Sequence, residues 1–288
     1  MSAPKAVGAA LAALLLAGAV FVVNLVWFHP FSLDLFFEKV FIEEALDKPE
    51  MLTELGIAEQ FGYRRHNAHL DDISIAQTER DAARVRARLA ELKAYDTASQ
   101  SPSQKLSTRV LTWYLEGRAE GEPFRFHDYP VEQLWGVQNQ TPDFLINSHA
   151  VTDRRGAEDY LSRLGEVGRK FDQLIEGLAK RQQLGVIPPR FVVERVLTGM
   201  RDFIANPAAQ NPLCTNLSAK LAALAEIAPA LTIPGHGPVA ALLPRVAEGE
   251  SSSRMLCCAV GRAGAALLLP LPSGDGPGPY TWISKTCR

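Results

Sequence analysis

His66-x-x-His69, with Asp71 and Asp72 close behind, gathers four side chains of the kind that hold a divalent metal. Two histidines three apart share a face only on a helix. Here they stand before a helix N-terminus, Leu70–Ser74 (LDDIS), where Asp72 and Ser74 serve the first turn. The stretch therefore reads as a solvated loop, not a metal centre. Cys257-Cys258 is an adjacent pair rather than C-x-x-C, and neighbouring cysteines rarely bridge. Gly261 to Gly264 lacks the strand–turn–helix setting of a phosphate loop. Neither G-x-S-x-G nor H-E-x-x-H occurs in the chain. A catalytic zinc wants three protein ligands and a general base, and the sequence presents no such set.

The block from Tyr129 to His149 is richer. It concentrates Gln133, Trp135, Gln138, Asn139, Gln140, Asn147 and His149 between long helices. Uncharged hydrogen-bonding groups beside Trp135 and Phe144 suit a cleft that receives a peptide backbone, with Gln138, Asn139 and His149 as the lining residues. A second reading has the same side chains satisfying the buried backbone of a long loop.

The elements that must position this block read as helices. Phe31 to Ala45 is amphipathic and ends at Asp47-Lys48-Pro49. After a loop over Gly56 to Leu70, Ser74 with Gln77 has capping-box spacing. The helix behind it puts Ile75, Ala82, Val85, Leu89, Leu92 and Tyr95 on one face. Ser101-Pro102-Ser103-Gln104 repeats the device and opens a helix carrying Leu106, Val110, Trp113 and Tyr114. Gly121 to Ser148 reads as non-helical. Tyr160, Leu164, Val167, Phe171, Leu174 and Leu178 then recur by fours and threes, a narrow seam that packs on a neighbouring helix. Gly185 closes that helix and Pro188-Pro189 opens the next, which carries Val192, Val196, Met200, Phe203 and Ile204 until Asn206-Pro207. A last helix is expected from Asn216 to Leu231. No period-2 strand and no fixed repeat is found, so the fold class is mainly α: long packed helices with an irregular loop block.

Both ends depart from this pattern. Ala6 to Phe28 is an apolar run broken only by Asn24, and as a helix it would be roughly 34 Å long, enough to cross a bilayer. Lys5 precedes it and Asp34, Glu38, Glu43 and Glu44 follow, which places the body outside the cytoplasm. Ala17-Gly18-Ala19 offers a signal-peptidase site. The apolar run continues past it to Phe28, which favours an uncleaved transmembrane anchor. At the other end, residues 232–288 hold 8 of the 21 glycines, 7 of the 19 prolines and only 8 charged residues. That segment reads as an irregular tail, either genuine or out of frame. The chain thus divides into 1–28, a helical body over 29–231, and 232–288.

Over the whole 288 residues, 30 basic against 32 acidic side chains exclude a strongly basic nucleic-acid binder. The run Arg80 to Arg88 is interleaved with Asp81 on an outer helix face. Four cysteines exclude a disulfide scaffold. The lipid bilayer, through residues 6–28, and a peptide substrate are the partners expected; the sequence sets no oligomeric state.

Several stretches resemble the N-terminal half of the bacterial proteins grouped as domain of unknown function 885. They are Phe37–Gly56, Leu70–Ser74, Tyr129–Leu145 (YPVEQLWGVQNQTPDFL), Asp159–Leu178 and Gly185–Leu197, in the family's order. The resemblance implies an exported, helical protein similar to zinc metallopeptidases, whose later half carries H-E-x-x-P-G-H. Here the only P-G-H is Pro234-Gly235-His236, and Ala230 and Leu231 stand where His and Glu are needed. None of the family's zinc ligands transfers. The expectation is a membrane-anchored, inactive peptidase-like chain, truncated or frameshifted before the catalytic motif and with no cofactor of its own. The alternative is a non-catalytic helical binding module, docking a partner helix through the Tyr160–Leu178 seam.

Overall fold

The computed structural model describes residues 12–13, 16–21, 23–24, 30–205 and 210–227. These are helical or irregular, with no strand among the described residues. The described residues form two compact units, one within residues 1–46 and 79–123, the other within 47–78 and 124–288.

In the first unit, α1 (Leu33–Leu46), α3 (Ile75–Lys93, within the unit from Glu79) and α4 (Pro102–Glu120) share a small core. Leu33 and Phe36 of α1 meet Val85 and Leu92 of α3 and Leu115 of α4. Polar ties hold the ends: Tyr95 Oη donates to Pro30 O (2.8 Å) and Gln104 Nε2 to Asp34 Oδ2 (3.0 Å). Arg118 meets Glu44 at 3.3 Å. The expected cap of α4 is complete. Gln104 N donates to Ser101 Oγ (3.2 Å) and Ser101 N to Gln104 Oε1 (3.0 Å), with Pro102 at the first helical position. Ser101→Ala removes one arm of that box and is expected to cost about 1 kcal/mol, read as a lower urea midpoint of the full chain. The apolar residues that the sequence places on α4 turn outward. Leu106, Val110, Trp113 and Tyr114 are exposed, and the unit buries Leu115 instead.

In the second unit, Pro49 does more than stop α1. It is the first residue of a short helix, α2 (Pro49–Leu55), because a missing N–H is harmless there. Two 3₁₀ turns, Ala58–Phe61 and Arg65–Ala68, follow, set off by Gly56 and Gly62 in the left-handed region (φ 61° and 77°). Ser74 caps α3 through Gln77 N (3.1 Å), but the box is not reciprocal, because Ser74 N donates to Asp72 Oδ1 (2.9 Å).

The long helix α6 (Arg154–Gln183) is capped by Asp153, whose Oδ1 accepts from Gly156 N (2.7 Å). Its seam Tyr160, Leu164, Val167, Phe171, Leu174 and Leu178 is buried against α7 (Arg190–Ala205) and α8 (Pro212–Ile227). From α7 come Val193, Val196, Leu197 and Met200, and from α8 Leu213, Leu217, Leu221 and Leu224. The seam is thus spent on the chain's own core, which removes it as a docking surface. Gly185, at φ 75°, lets the chain reverse after α6, with Val186 N donating to Arg181 O (2.9 Å). Helix α8 begins four residues before the expected start, because Asn211 Oδ1 accepts from Leu213 N (3.1 Å) and caps it there.

No helix among the described residues is long and apolar enough to cross a membrane. Most of Ala6–Phe28 lies outside the described residues; within it, Leu16, Val20 and Val23 are helical and exposed. Asn206-Pro207, Leu231, Pro234–His236, Cys257-Cys258 and the tail 232–288 also lie outside.

Candidate functional site

The block Tyr129–His149 is not wholly irregular, a correction. Val137–Asp143 forms α5, and Phe144–Ser148 a π turn closed by His149 N donating to Phe144 O (3.0 Å). A seven-residue helix with Pro142 in its sixth position shows no apolar period, so its sequence reads as loop. Proline supplies no N–H for the carbonyl one turn back, and the backbone widens just after it. Lys220 of α8 closes the freed end, donating to Ile146 O (2.8 Å), His149 O (2.7 Å) and Leu145 O (3.3 Å).

The approach to α5 is a braced loop. Val137 N donates to Pro130 O (2.9 Å), and the buried Gln138 sends Nε2 to Glu132 O (2.6 Å). Asn139 Nδ2 reaches Gln133 O (2.9 Å). A Cβ on Gly136 would lie 2.6 Å from Glu132 N, so only glycine lets the loop fold this tightly against α5. Trp135, at the bend, is 75% exposed. Beside it lies a hollow of about 490 Å³ lined by Trp135, Gln138, Asn139, Pro142, Ile146 and Phe203 among others. Its size falls within the range of small-ligand sites. Gln138 and Asn139 line this hollow and also satisfy loop carbonyls.

His149 is placed differently. It is 2% exposed, its ring edge-on to Tyr160 at 5.2 Å, and it is not among the residues lining the hollow. Nε2 lies 2.9 Å from Gly156 O and Nδ1 2.7 Å from Arg163 Nη1. A carbonyl only accepts and a guanidinium only donates, so the ring is the neutral Nε2–H tautomer. Burial pushes its pKa down to about 4, with the Arg163 and Lys220 charges adding to the shift.

Arg163, which the sequence reading passed over, is the hub beneath the site. It is fully buried on α6. Its Nε donates to His69 O (2.8 Å) and its Nη2 to Thr53 Oγ1 (2.6 Å) and His66 O (3.1 Å). The guanidinium lies 4.7 Å from the centroid of Phe144. Other α6 residues hold the LDDIS stretch: Glu166 accepts from Leu70 N (2.8 Å) and Gln173 from Ile73 N (3.2 Å). Asp71 and Glu50 each accept the other's backbone N–H (3.0 and 3.1 Å), and Lys170 completes the cluster at 2.5 Å from Glu50. A trace of this was in the sequence, since Arg163 and Lys170 stand seven apart along the edge of the seam.

His66, His69 and His149 are each held by separate partners. His66 pairs with Glu59 (2.9 Å) and His69 with a different carboxylate, Glu166 (2.8 Å), while both nitrogens of His149 are engaged. Among the described residues, no three His, Cys, Asp or Glu side chains converge as a metal site.

The family model described as "Bacterial protein of unknown function (DUF885)" matches residues 49–245. The chain is a DUF885 protein. The match extends past Leu231 into the first part of the segment 232–288. The comparison with curated proteins finds no match. Among solved structures, this DUF885 chain is similar to the crystal structure of a candidate lipoprotein from Colwellia psychrerythraea, at 15% identity and a TM-score of 0.63. The likeness covers 79% of this chain and 40% of that one, so the chain spans well under half the length of that relative. At that identity the likeness establishes a shared helical fold.

Proposed function

We propose that this DUF885 protein is a membrane-tethered, exported helical body that holds peptide in the Trp135 hollow without zinc chemistry of its own. The observation that carries the reading is the hollow itself. An exposed Trp and two amide side chains face it from a loop that glycine and three hydrogen bonds brace. Aromatic and amide groups together suit an extended backbone, which offers both apolar faces and unpaired N–H and C=O groups. The apolar stretch 6–28, with charge placed to keep the N-terminus inside, supports an anchor with the body outside the inner membrane. The description of the Colwellia protein as a candidate lipoprotein agrees with an exported place.

The test uses the full chain in mild detergent with a fluorescein-labelled casein digest as probe. Anisotropy is expected to show saturable binding that Trp135→Ala weakens roughly tenfold or more. Atomic absorption after dialysis against zinc is expected to find well under one ion per chain, and the digest is expected to stay intact. Binding indifferent to Trp135→Ala, or stoichiometric zinc with hydrolysis, would overturn the reading.

A further inference from the structure

Another hollow, of about 680 Å³, lies wholly within the first unit among α1, α3 and α4, lined by Phe37, Val40, Phe41, Val85, Val110 and Trp113 among others. Its α4 wall is apolar and exposed. Leu106, Val110 and Trp113 step along one stripe by four and then three, and Trp113 is 76% exposed. Gly117 continues the stripe by four. A Cβ there would meet nothing within 4 Å, and its φ is not in the left-handed region. Neither packing nor backbone geometry within the chain calls for glycine, which weakens a helix interior. Close approach of a second helix would call for it.

The charges on α4 indicate which helix. Lys105 and Arg109 stand in its first half, Glu116 and Glu120 in its last; Arg118, also in the last turn, is turned to Glu44 (3.3 Å). Lay a second α4 antiparallel across the first with Val110 opposite Trp113 of the second copy. Leu106 then faces Gly117 of the second copy, large against small. Arg109 comes beside Glu116 of the second copy and Lys105 beside Glu120 of the second copy, and the two-fold axis repeats every pair. Glu116 already meets Lys93 at the surface (2.8 Å), so it would be shared between two cations.

We infer that the α4 stripe is a self-association surface, pairing two copies antiparallel about an axis near Leu111 and Thr112. The contact is isologous, so each pair is made twice. A bilayer would have no use for this order of charges and would have to desolvate them. The helix is 19 residues, roughly 28 Å, long. One helix pair of that length is a modest interface, and an affinity on the order of micromolar is expected.

Sedimentation velocity of the full chain in mild detergent, loaded from roughly 1 to 100 µM, tests the proposal. A monomer–dimer equilibrium is expected. Val110→Asp should weaken it by about 100-fold, with far-ultraviolet dichroism unchanged because the side chain is exposed. Arg109→Glu should weaken it roughly tenfold, and adding Glu116→Arg should restore it to within about threefold. A monomer throughout overturns the inference, as does a double reversal that recovers nothing. A dimer that survives Val110→Asp but dissolves when residues 6–28 are removed overturns it too, since the anchor would then be the contact.

Discussion

Arg163→Met is expected to destabilise the protein by about 3–5 kcal/mol. The guanidinium is fully buried and supplies donors to His69 O, His66 O, Thr53 Oγ1 and His149 Nδ1. Methionine fills much of the volume but donates nothing, so the acceptors of two chain segments are left dry. Each orphaned acceptor costs about 1–3 kcal/mol before relaxation, and water admitted to the site recovers part of the sum. Burial pulls the Arg163 pKa down to about 10, which leaves it charged at neutral pH, so its bonds are the stronger, charge-assisted kind. Arg163→Lys separates charge from geometry. An ammonium keeps the charge, but it cannot reach acceptors spread from Thr53 to His149, and it should recover less than half of the loss. Urea unfolding of the full chain at pH 7, followed by dichroism, reads both. A Met variant within about 1 kcal/mol of the parent would mean that the network is not what joins α6 to the Pro49–Leu70 segment.

The difference between what the sequence showed and what it hid is one of range. The Ser101–Gln104 box was legible because all its atoms lie within one turn. The α6 seam was legible because burial repeats every three or four residues for six apolar side chains. Arg163 shares that helix, yet two of its partners are backbone oxygens nearly a hundred residues earlier, and a carbonyl leaves no mark on residue type. The same reasoning explains the mixed outcome at the loop block. Gln138 and Asn139 were legible as lining because they sit one turn from Trp135, and the hollow is built locally. His149 has a similar composition around it, but its ring is claimed by Gly156 and Arg163. On α4 the apolar residues were legible in the sequence, but their exposure was not. Periodicity reports that a face is apolar, not what covers it.

The second large effect is a loss of stability as the pH falls from about 6.5 to about 4. His149 in the unfolded chain takes a proton near its ordinary value of 6.5, while in the folded chain it stays neutral down to about 4. Between those values the unfolded state binds the extra proton, so stability rises with pH across the window and falls on acidification. One group shifted this far is worth about 3 kcal/mol in total, at about 1.4 kcal/mol per pH unit. His66 is also buried and also shifted down, which adds to the slope in the same direction. Glu59, Asp153 and Glu166 are held below the usual carboxylate range, the last two by Arg64 and by His69 with Leu70 N respectively, against the cost of burial. Their contributions are lost only below pH 4.5 and steepen the lower end. Asp71 and Asp159, raised by burial, act in the opposite sense there, and the upper part of the window belongs to the histidines. His149→Gln isolates the effect. The amide can still donate to Gly156 O but accepts poorly from Arg163, so the variant should be less stable at pH 7. Its stability should then be flatter between pH 6.5 and 4 by nearly the full 3 kcal/mol, because no ionisable ring remains to be charged on unfolding. Urea midpoints of parent and variant at pH 7, 6, 5 and 4.5 give the comparison. Parallel curves would mean that His149 is solvated and titrates normally, and that the Arg163 network does not enclose it.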